Sequence, residues 1–215
     1  MGAVTVNKRV ISKPGYSVRE SDIISFNAKE QYVSRAGLKL ASIAKTFDLN
    51  FKDTVVFDVG SSTGGFTDYA LQHKAKKVIA VDVGTNQLHP TLRVNERVEL
   101  HEQTDVRDMK KLSAVPDYVV IDVSFISLRE ILPHVARLSA RQTKIIAMVK
   151  PQFEAIKTNV KHKGVIKNEK IRREILQSFE AWSKDLFKIQ NKADSQVIGE
   201  KGNKERFYLL TVLPK

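Results

Sequence analysis

The chain has 215 residues, 42% of them hydrophobic, and carries 36 Lys and Arg against 24 Asp and Glu, a net charge of +12. That length suits one ordinary domain with a small appendage, and the absence of cysteine excludes disulfides, thiolate metal sites and a cysteine nucleophile. The first 15 residues lack the apolar core of a signal peptide, and no apolar run approaches the roughly 20 residues of a membrane span, so the expectation is a cytoplasmic protein with no stable membrane association.

Residues 1–28 read as short strands at Val4–Val6 and Val10–Ile11 around a turn at Asn7-Lys8. A Lys-Pro-Gly turn follows, then a strand at Ile23–Phe26. A stretch this short cannot make a core of its own. Helical spacing begins after Tyr32, with Leu38, Ala41, Ile43 and Ala44 apolar and Ser34 as the predicted cap. Strands and helices then alternate. Strands are predicted at 55–60, 78–84, 98–101, 117–125 and 144–151, with helices at 65–73, near 108–112, at 127–139 and at 169–185. Residues 86–95 are mixed, and a loop rich in lysine and asparagine covers 153–168. Two closing strands, 188–198 and 207–213, flank residues 199–206. Alternation of this kind predicts an α/β fold with a mostly parallel sheet covered on both faces. The closing pair predicts an antiparallel hairpin at one edge.

The stretch VVFDVGSSTGGFT (55–67) is a strand running into a glycine-rich turn. A triphosphate loop needs Gly-x-x-x-x-Gly-Lys-Ser/Thr, but Phe66 follows Gly65 and no lysine is present. A dinucleotide fingerprint needs Gly-x-Gly-x-x-Gly, and the spacing Gly60, Gly64, Gly65 does not match it. Asp58 lies just before the turn, where a carboxylate repels pyrophosphate and attracts an ammonium. Asp82 ends the next strand, where an acid can accept both ribose hydroxyls of an adenosine. Together these favour S-adenosylmethionine, which carries an ammonium and a sulfonium and no phosphate. The predicted contacts are Asp58, Gly60, Ser62, Thr63, Gly64, Gly65, Phe66, Asp82 and Asp122.

Asp122 ends DYVVIDVSF and Lys150 ends KIIAMVKP. Ligands of an open parallel sheet bind beyond the carboxyl ends of its strands, so both side chains are expected in the crevice of the glycine turn. A charge after IIAMV is costly unless paired, and Asp122 is the natural partner. A lysine among acids is also a candidate general base. Lys39 in SRAGLKLA and Glu205 in GNKERF would, taken singly, be surface charge.

YVSRAGLKL, DVGSSTGGFTDYALQ, VDVGTNQLHPTLR, VIDVSFISLREILP, MVKPQFE and GNKERF follow one another in that order. Over residues 30–215 the chain resembles the TlyA (hemolysin A-like) family of ribosomal RNA 2′-O-methyltransferases, related to FtsJ-type enzymes. The resemblance implies a Rossmann-like, S-adenosylmethionine-dependent methyltransferase with a seven-stranded sheet, over residues 29–215. It also implies a Lys-Asp-Lys-Glu tetrad at Lys39, Asp122, Lys150 and Glu205. Residues 1–28 would be the remnant of an S4-like RNA-binding domain, since Ala3–Lys8 and Ser12–Gly15 resemble only the end of one. Asp105 in QTDVRD stands where the family pattern has Thr-Asn-x-Arg near the adenine; an aspartate there can accept from the adenine amino group but cannot donate.

The partner the resemblance implies is ribosomal RNA or a ribosomal subunit; the positive field by itself suits RNA, DNA or an anionic surface. The base modified would be a cytidine, and the chain would act as a monomer. Lys157, Lys161, Lys163 and Lys167 are expected to hold phosphates. No metal is expected, because His73, His89, His101, His134 and His162 share no metal-ligand spacing. His89 is expected to shape the loop after Asp82. Two rivals are an RNA-binding protein that keeps the fold without catalysis, and a membrane-active protein of the kind the hemolysin name describes.

Overall fold

The computed structural model describes all residues except 1–3, 12, 14, 27–30, 156–163, 200 and 215. The chain divides into two compact units, Met1–Gln31 and Tyr32–Lys215.

In the first unit, β1 (Val4–Val6) pairs antiparallel with both β2 (Arg9–Val10) and β3 (Ile24–Phe26). The β1–β2 turn is the predicted one. Asn7 and Lys8 both take positive φ, 49° and 67°, as a two-residue hairpin with the twist of its strands requires. The Asn7 carboxamide donates to Asp22 and accepts from the Ile23 N–H, which ties the turn to the start of β3.

The second unit is a three-layer α/β sandwich. Its strands are β4 (Val55–Val59), β5 (Lys77–Val81), β6 (Val98–His101), β7 (Tyr118–Ile121), β8 (Lys144–Val149), β9 (Phe187–Asp194) and β10 (Arg206–Val212). They lie in the order β6-β5-β4-β7-β8-β10-β9. β6, β5, β4, β7 and β8 are mutually parallel, and β10 runs antiparallel to both β8 and β9. The mostly parallel, seven-stranded sheet with an antiparallel edge hairpin is therefore as predicted.

Period-two alternation sends the strand side chains to two cores. Val56, Val78, Val120, Ile146 and Phe207 meet α1 (Arg35–Ala44) and α2 (Gly65–Gln72) through Leu40, Ile43, Tyr69 and Ala70. On the opposite face, Phe57, Ile79, Val119, Ile145 and Tyr208 meet α4 (Leu128–Leu138) and α6 (Glu169–Ser183), which follow the short α3 (Pro90–Arg93) and α5 (Pro151–Glu154). Asn168 caps α6 by accepting from the Lys170 and Ile171 N–H groups, as its residue type favours. Ser34 stands at the N-cap of α1, yet its hydroxyl makes no capping bond.

Two expectations need correction. Residues 108–112 form no helix: the segment is a turn at 106–108, closed by the Asp108 N–H donating to the Asp105 carbonyl and by the Asp105 carboxylate accepting from the Arg107 N–H. A side chain that hydrogen-bonds its own backbone two residues on competes with helix. The central strands are also shorter than predicted, and that has a consequence for the site. Gly60, Asp82, Asp122 and Lys150 are each the first residue past the strand that carries them. Strand order reverses at β4, so these four residues line the switch-point crevice where open α/β sheets bind ligands.

Candidate active site

Beyond β4 the chain turns back through Gly60, at φ +80°, where an added Cβ would sit 2.9 Å from the Asp122 carbonyl oxygen. Only glycine combines that conformation with that approach. The turn is held by the Gly60 and Ser61 N–H groups, which donate to the Val81 carbonyl. Gly65 opens α2 against α1, where a Cβ would lie 2.7 Å from Ala36 Cβ and 2.8 Å from the Gly37 nitrogen.

Three adjoining cavities run along the ends of the strands, with volumes of about 490, 400 and 260 Å³. Gly60, Ser62, Asp82, Asp105 and Asp122 line the first. Asp58, Thr63, Lys39, Asp122 and Lys150 line the second. Lys39, Lys150, Asn203 and Glu205 line the third. Asp122 is shared by the first pair, Lys39 and Lys150 by the second pair, and Ser124 by all three.

Asp58 is 1% exposed. One carboxylate oxygen accepts from the Thr67 hydroxyl at 2.6 Å, and the other has no hydrogen-bond partner among the described residues. Burial pushes the carboxyl up to about 7, a rise the Thr67 hydrogen bond partly offsets. A buried carboxylate with an unmatched oxygen in a cavity wall is the complement of a cation. Asp82 accepts from the Ser62 N–H at 2.8 Å and from the Gly84 N–H at 2.7 Å, so its carboxylate is fixed in orientation beside the first cavity. The loop after it is pinned by Glu102, which accepts from the N–H groups of Asn86, Gln87 and Leu88 and pairs with Arg93. The Arg93 guanidinium holds the Glu102 carboxyl down to about 2. His89 caps α3 within that loop, and its N–H donates to the Thr63 carbonyl.

Sequence reasoning placed Phe66 and Asp105 among the cofactor contacts, and the structure qualifies both. Phe66 lines the second cavity but is 2% exposed and packs on Phe207. Asp105 lines the first cavity, but Arg107 clamps both of its oxygens at 2.6–3.0 Å and holds its carboxyl below the usual carboxylate range. Little of its accepting capacity is left for an adenine amino group.

The four tetrad candidates come together. Lys150 Nζ lies 2.5 Å from an Asp122 carboxylate oxygen, and Lys39 Nζ lies 2.6 Å from one of Glu205. Side-chain exposures of 10% and 15% for the first pair, and 12% and 4% for the second, put both pairs largely out of water. Burying four charges is tolerable only because they pair. Glu205 is delivered by the β9–β10 connection, which Arg172 braces from α6 through the Lys204 carbonyl and Asp194. Lys157, Lys161, Lys163 and His162 lie outside the described residues. Among the described residues no cluster of His, Cys, Asp and Glu could hold a metal ion, and no helix is long and apolar enough to cross a membrane.

Residues 32–212 match the model of the FtsJ-like methyltransferase family. The chain belongs to that family. Its fold and family are those of an S-adenosylmethionine-dependent methyltransferase, and its relatives bear rRNA methyltransferase and hemolysin names. It is 43% identical over 188 residues to YqxC of Bacillus subtilis, covering 85% of this chain and 66% of that protein. It is 42% identical over 182 residues to the 23S rRNA (cytidine-2′-O)-methyltransferase TlyA of Campylobacter jejuni, covering 83% of this chain and 70% of that one. The chain thus spans about two thirds of the length of these curated relatives. A solved structure of a hemolysin-named protein from Streptococcus thermophilus superposes with a TM-score of 0.85 at 37% identity, over all of this chain and 80% of that one.

Three residues of the site were missed from the sequence. Thr67 satisfies one oxygen of Asp58, Glu102 pins the loop after Asp82, and Ser124 accepts from Lys150 Nζ at 2.9 Å. Ser124 carried a signal, since it sits two residues past Asp122 in IDVSF. Glu102 carried none, because nothing local links it to residues 86–88.

Proposed function

We propose that this FtsJ-like methyltransferase moves a methyl group from S-adenosylmethionine to a ribose 2′-hydroxyl of ribosomal RNA, with a cytidine as the acceptor nucleotide. The observation that carries the reading is the meeting of Lys39, Asp122, Lys150 and Glu205 in the cavities that adjoin the glycine turn. The donor set fits the cofactor: Asp58 would hold its ammonium, Asp82 its ribose, and the backbone of residues 60–65 would line the methionine side. When bound, S-adenosylmethionine supplies an electrophilic methyl on a positive sulfur.

The chain's own groups have separable tasks. Lys150, as the free amine, would take up the proton that the 2′-hydroxyl gives up as its oxygen accepts the methyl group, the chemistry that the bound cofactor would supply. Asp122 holds the Lys150 nitrogen in place and stabilises the ammonium that results. Lys39 and Glu205, as a neutral pair, orient the incoming ribose without adding net charge. Holding the acceptor hydroxyl in line with the methyl group beside Lys150 would supply much of the remaining acceleration. The positive chain draws in RNA through its phosphates, Lys167 among the described lysines. Residues 1–28 would add to that grip as part of an S4-like module, and a ribosomal substrate would place the protein in the cytoplasm.

The test is methyl transfer from labelled S-adenosylmethionine to unmodified ribosomal subunits, followed by nuclease mapping of 2′-O-methyl nucleotides. Label on one or two cytidine riboses is the expected result. Label on a base, or none although the cofactor binds, overturns the proposal.

A further inference from the structure

Lys150 is held by more than its ion pair. Its nitrogen sits 2.5 Å from Asp122 and donates to the Ser124 hydroxyl at 2.9 Å, with the Phe153 ring 5.9 Å away. Ser124 is exposed, yet it lines all three cavities and so stands where the cofactor and acceptor spaces join. It is carried by the segment between β7 and α4, which leaves the sheet after Ile121 and passes through Phe125 at φ +64°. A bulky residue in that conformation is strained, and such strain persists only where the surroundings enforce it.

A lysine nitrogen has three directions besides its bond to carbon. In the free amine two are N–H bonds and the third is the lone pair. The Ser124 hydroxyl takes one N–H bond, and the Asp122 carboxylate, in ion-pair contact without hydrogen-bond alignment, draws the other toward it by its charge. The lone pair is then left the third direction. With one acceptor, the amine turns about its last carbon–nitrogen bond, and the lone pair is spread over the remaining positions.

We infer that Ser124 is a positioning residue for Lys150: together with Asp122 it fixes the amine rotor so that the lone pair faces the acceptor hydroxyl. This rests on the assignment of Lys150 as the base under the proposed function. The proton balance is unchanged by it. The ribose O–H bond breaks toward Lys150, and Ser124 keeps its own proton throughout.

The experiment uses the full chain, with Ser124→Ala and Ser124→Thr measured against wild type and Lys150→Ala. The first reading is methyl transfer to ribosomal subunits at saturating cofactor. The second is the rate at which acetic anhydride acetylates Lys150 in the cofactor-free protein, followed by peptide mass spectrometry. Ser124→Ala is expected to slow transfer by roughly tenfold or more, the scale of a misaligned reacting group. The same change should speed acetylation of Lys150, and of no other lysine, because the amine has lost an acceptor. Ser124→Thr keeps the hydroxyl and should restore both readings. A merely structural defect would accelerate labelling at many lysines and would not give opposite signs on one residue.

Slower transfer with unaltered Lys150 acetylation would mean that Ser124 touches the RNA directly, and overturns the inference. Unaltered transfer in Ser124→Ala overturns it too. Should Lys150→Ala retain transfer, the base assignment itself fails and the inference falls with it, an outcome distinct from the failure of Ser124 alone.

Discussion

Asp58, Gly60, Ser62 and Thr67 come from one continuous strand, turn and helix, and Asp82 from the strand beside it. Lys39, Asp122, Lys150 and Glu205 come from a helix, two parallel strand ends and the loop of an antiparallel hairpin, and they meet only in the finished fold. The two halves of the crevice differ in electrostatics as well. The glycine-turn half keeps a buried carboxylate with no counter-charge among the described residues, whereas the lysine half pairs each lysine it buries with a carboxylate. A half waiting for a cationic ligand must stay unsatisfied until the ligand arrives. A half that must hold four segments together can use its charges to do so.

Mutations should therefore act oppositely on the two halves. The largest effect is expected at Lys150. Lys150→Ala removes the proton acceptor and should slow methyl transfer by roughly 10²–10⁴-fold, the range for general-base groups. Cofactor affinity, read by calorimetry, should hold within a few-fold, because the glycine turn is untouched. Parallel losses in transfer and in cofactor affinity would dissolve the distinction between the halves.

Next in size is the Lys39–Glu205 pair. Lys39→Met leaves Glu205, 4% exposed at its side chain, without its cation. Stranding one member of a buried pair costs roughly 3 kcal/mol or more. The double change Lys39→Met with Glu205→Gln should recover most of that in thermal unfolding, while transfer stays low in both. Equal destabilisation in the single and double variants would show that the pair does not hold the segments.

The same contrast explains what could be read in advance. Alternating strands and helices made the sheet legible, because apolar period and glycine turns are local signals. Asp58 and Asp82 were legible for the same reason, each standing at a fixed place relative to its own strand. Lys39 and Glu205 looked like surface charge until the resemblance linked them, since nothing near either residue encodes a partner so far along the chain. The absent helix at 108–112 shows the reverse failure. Its spacing permits a helix, and the Asp105 side chain diverts the backbone into a turn instead.

In the glycine-turn half, removing charge should stabilise. Asp58 is raised from an ordinary 3.8 to about 7 by burial. The folded chain therefore holds a proton that the unfolded chain has already released between those values. Stability on this account is full below about 3.8, declines as pH rises through 7, and is flat above it. Asp58→Asn keeps an oxygen for the Thr67 hydroxyl and removes the charge. At pH 8 the cofactor-free variant should melt higher than wild type, by an amount on the order of a few kcal/mol, and the gap should narrow as pH falls toward 4. S-adenosylmethionine should bind the variant more weakly at every pH above 7. A variant that melts lower at pH 8 would mean that the carboxylate is already compensated in the protein, and the contrast between the halves would lose its electrostatic basis.

The smallest effect is expected at Glu102, which lines none of the three cavities. Its carboxylate accepts from three consecutive N–H groups of the loop after Asp82, and Arg93 closes the arrangement. Glu102→Gln replaces one accepting oxygen with a donor that faces those N–H groups, so part of the loop must let go. The loop's ordering then has to be supplied when the ligand binds. Affinity for S-adenosylmethionine should fall a few-fold, while transfer at saturating cofactor stays near wild type. That split separates a residue that shapes the glycine-turn half from one that serves the reaction. A loss in saturated transfer with affinity intact would instead show that the loop after Asp82 reaches into the lysine half, and that the two halves are less independent than their construction implies.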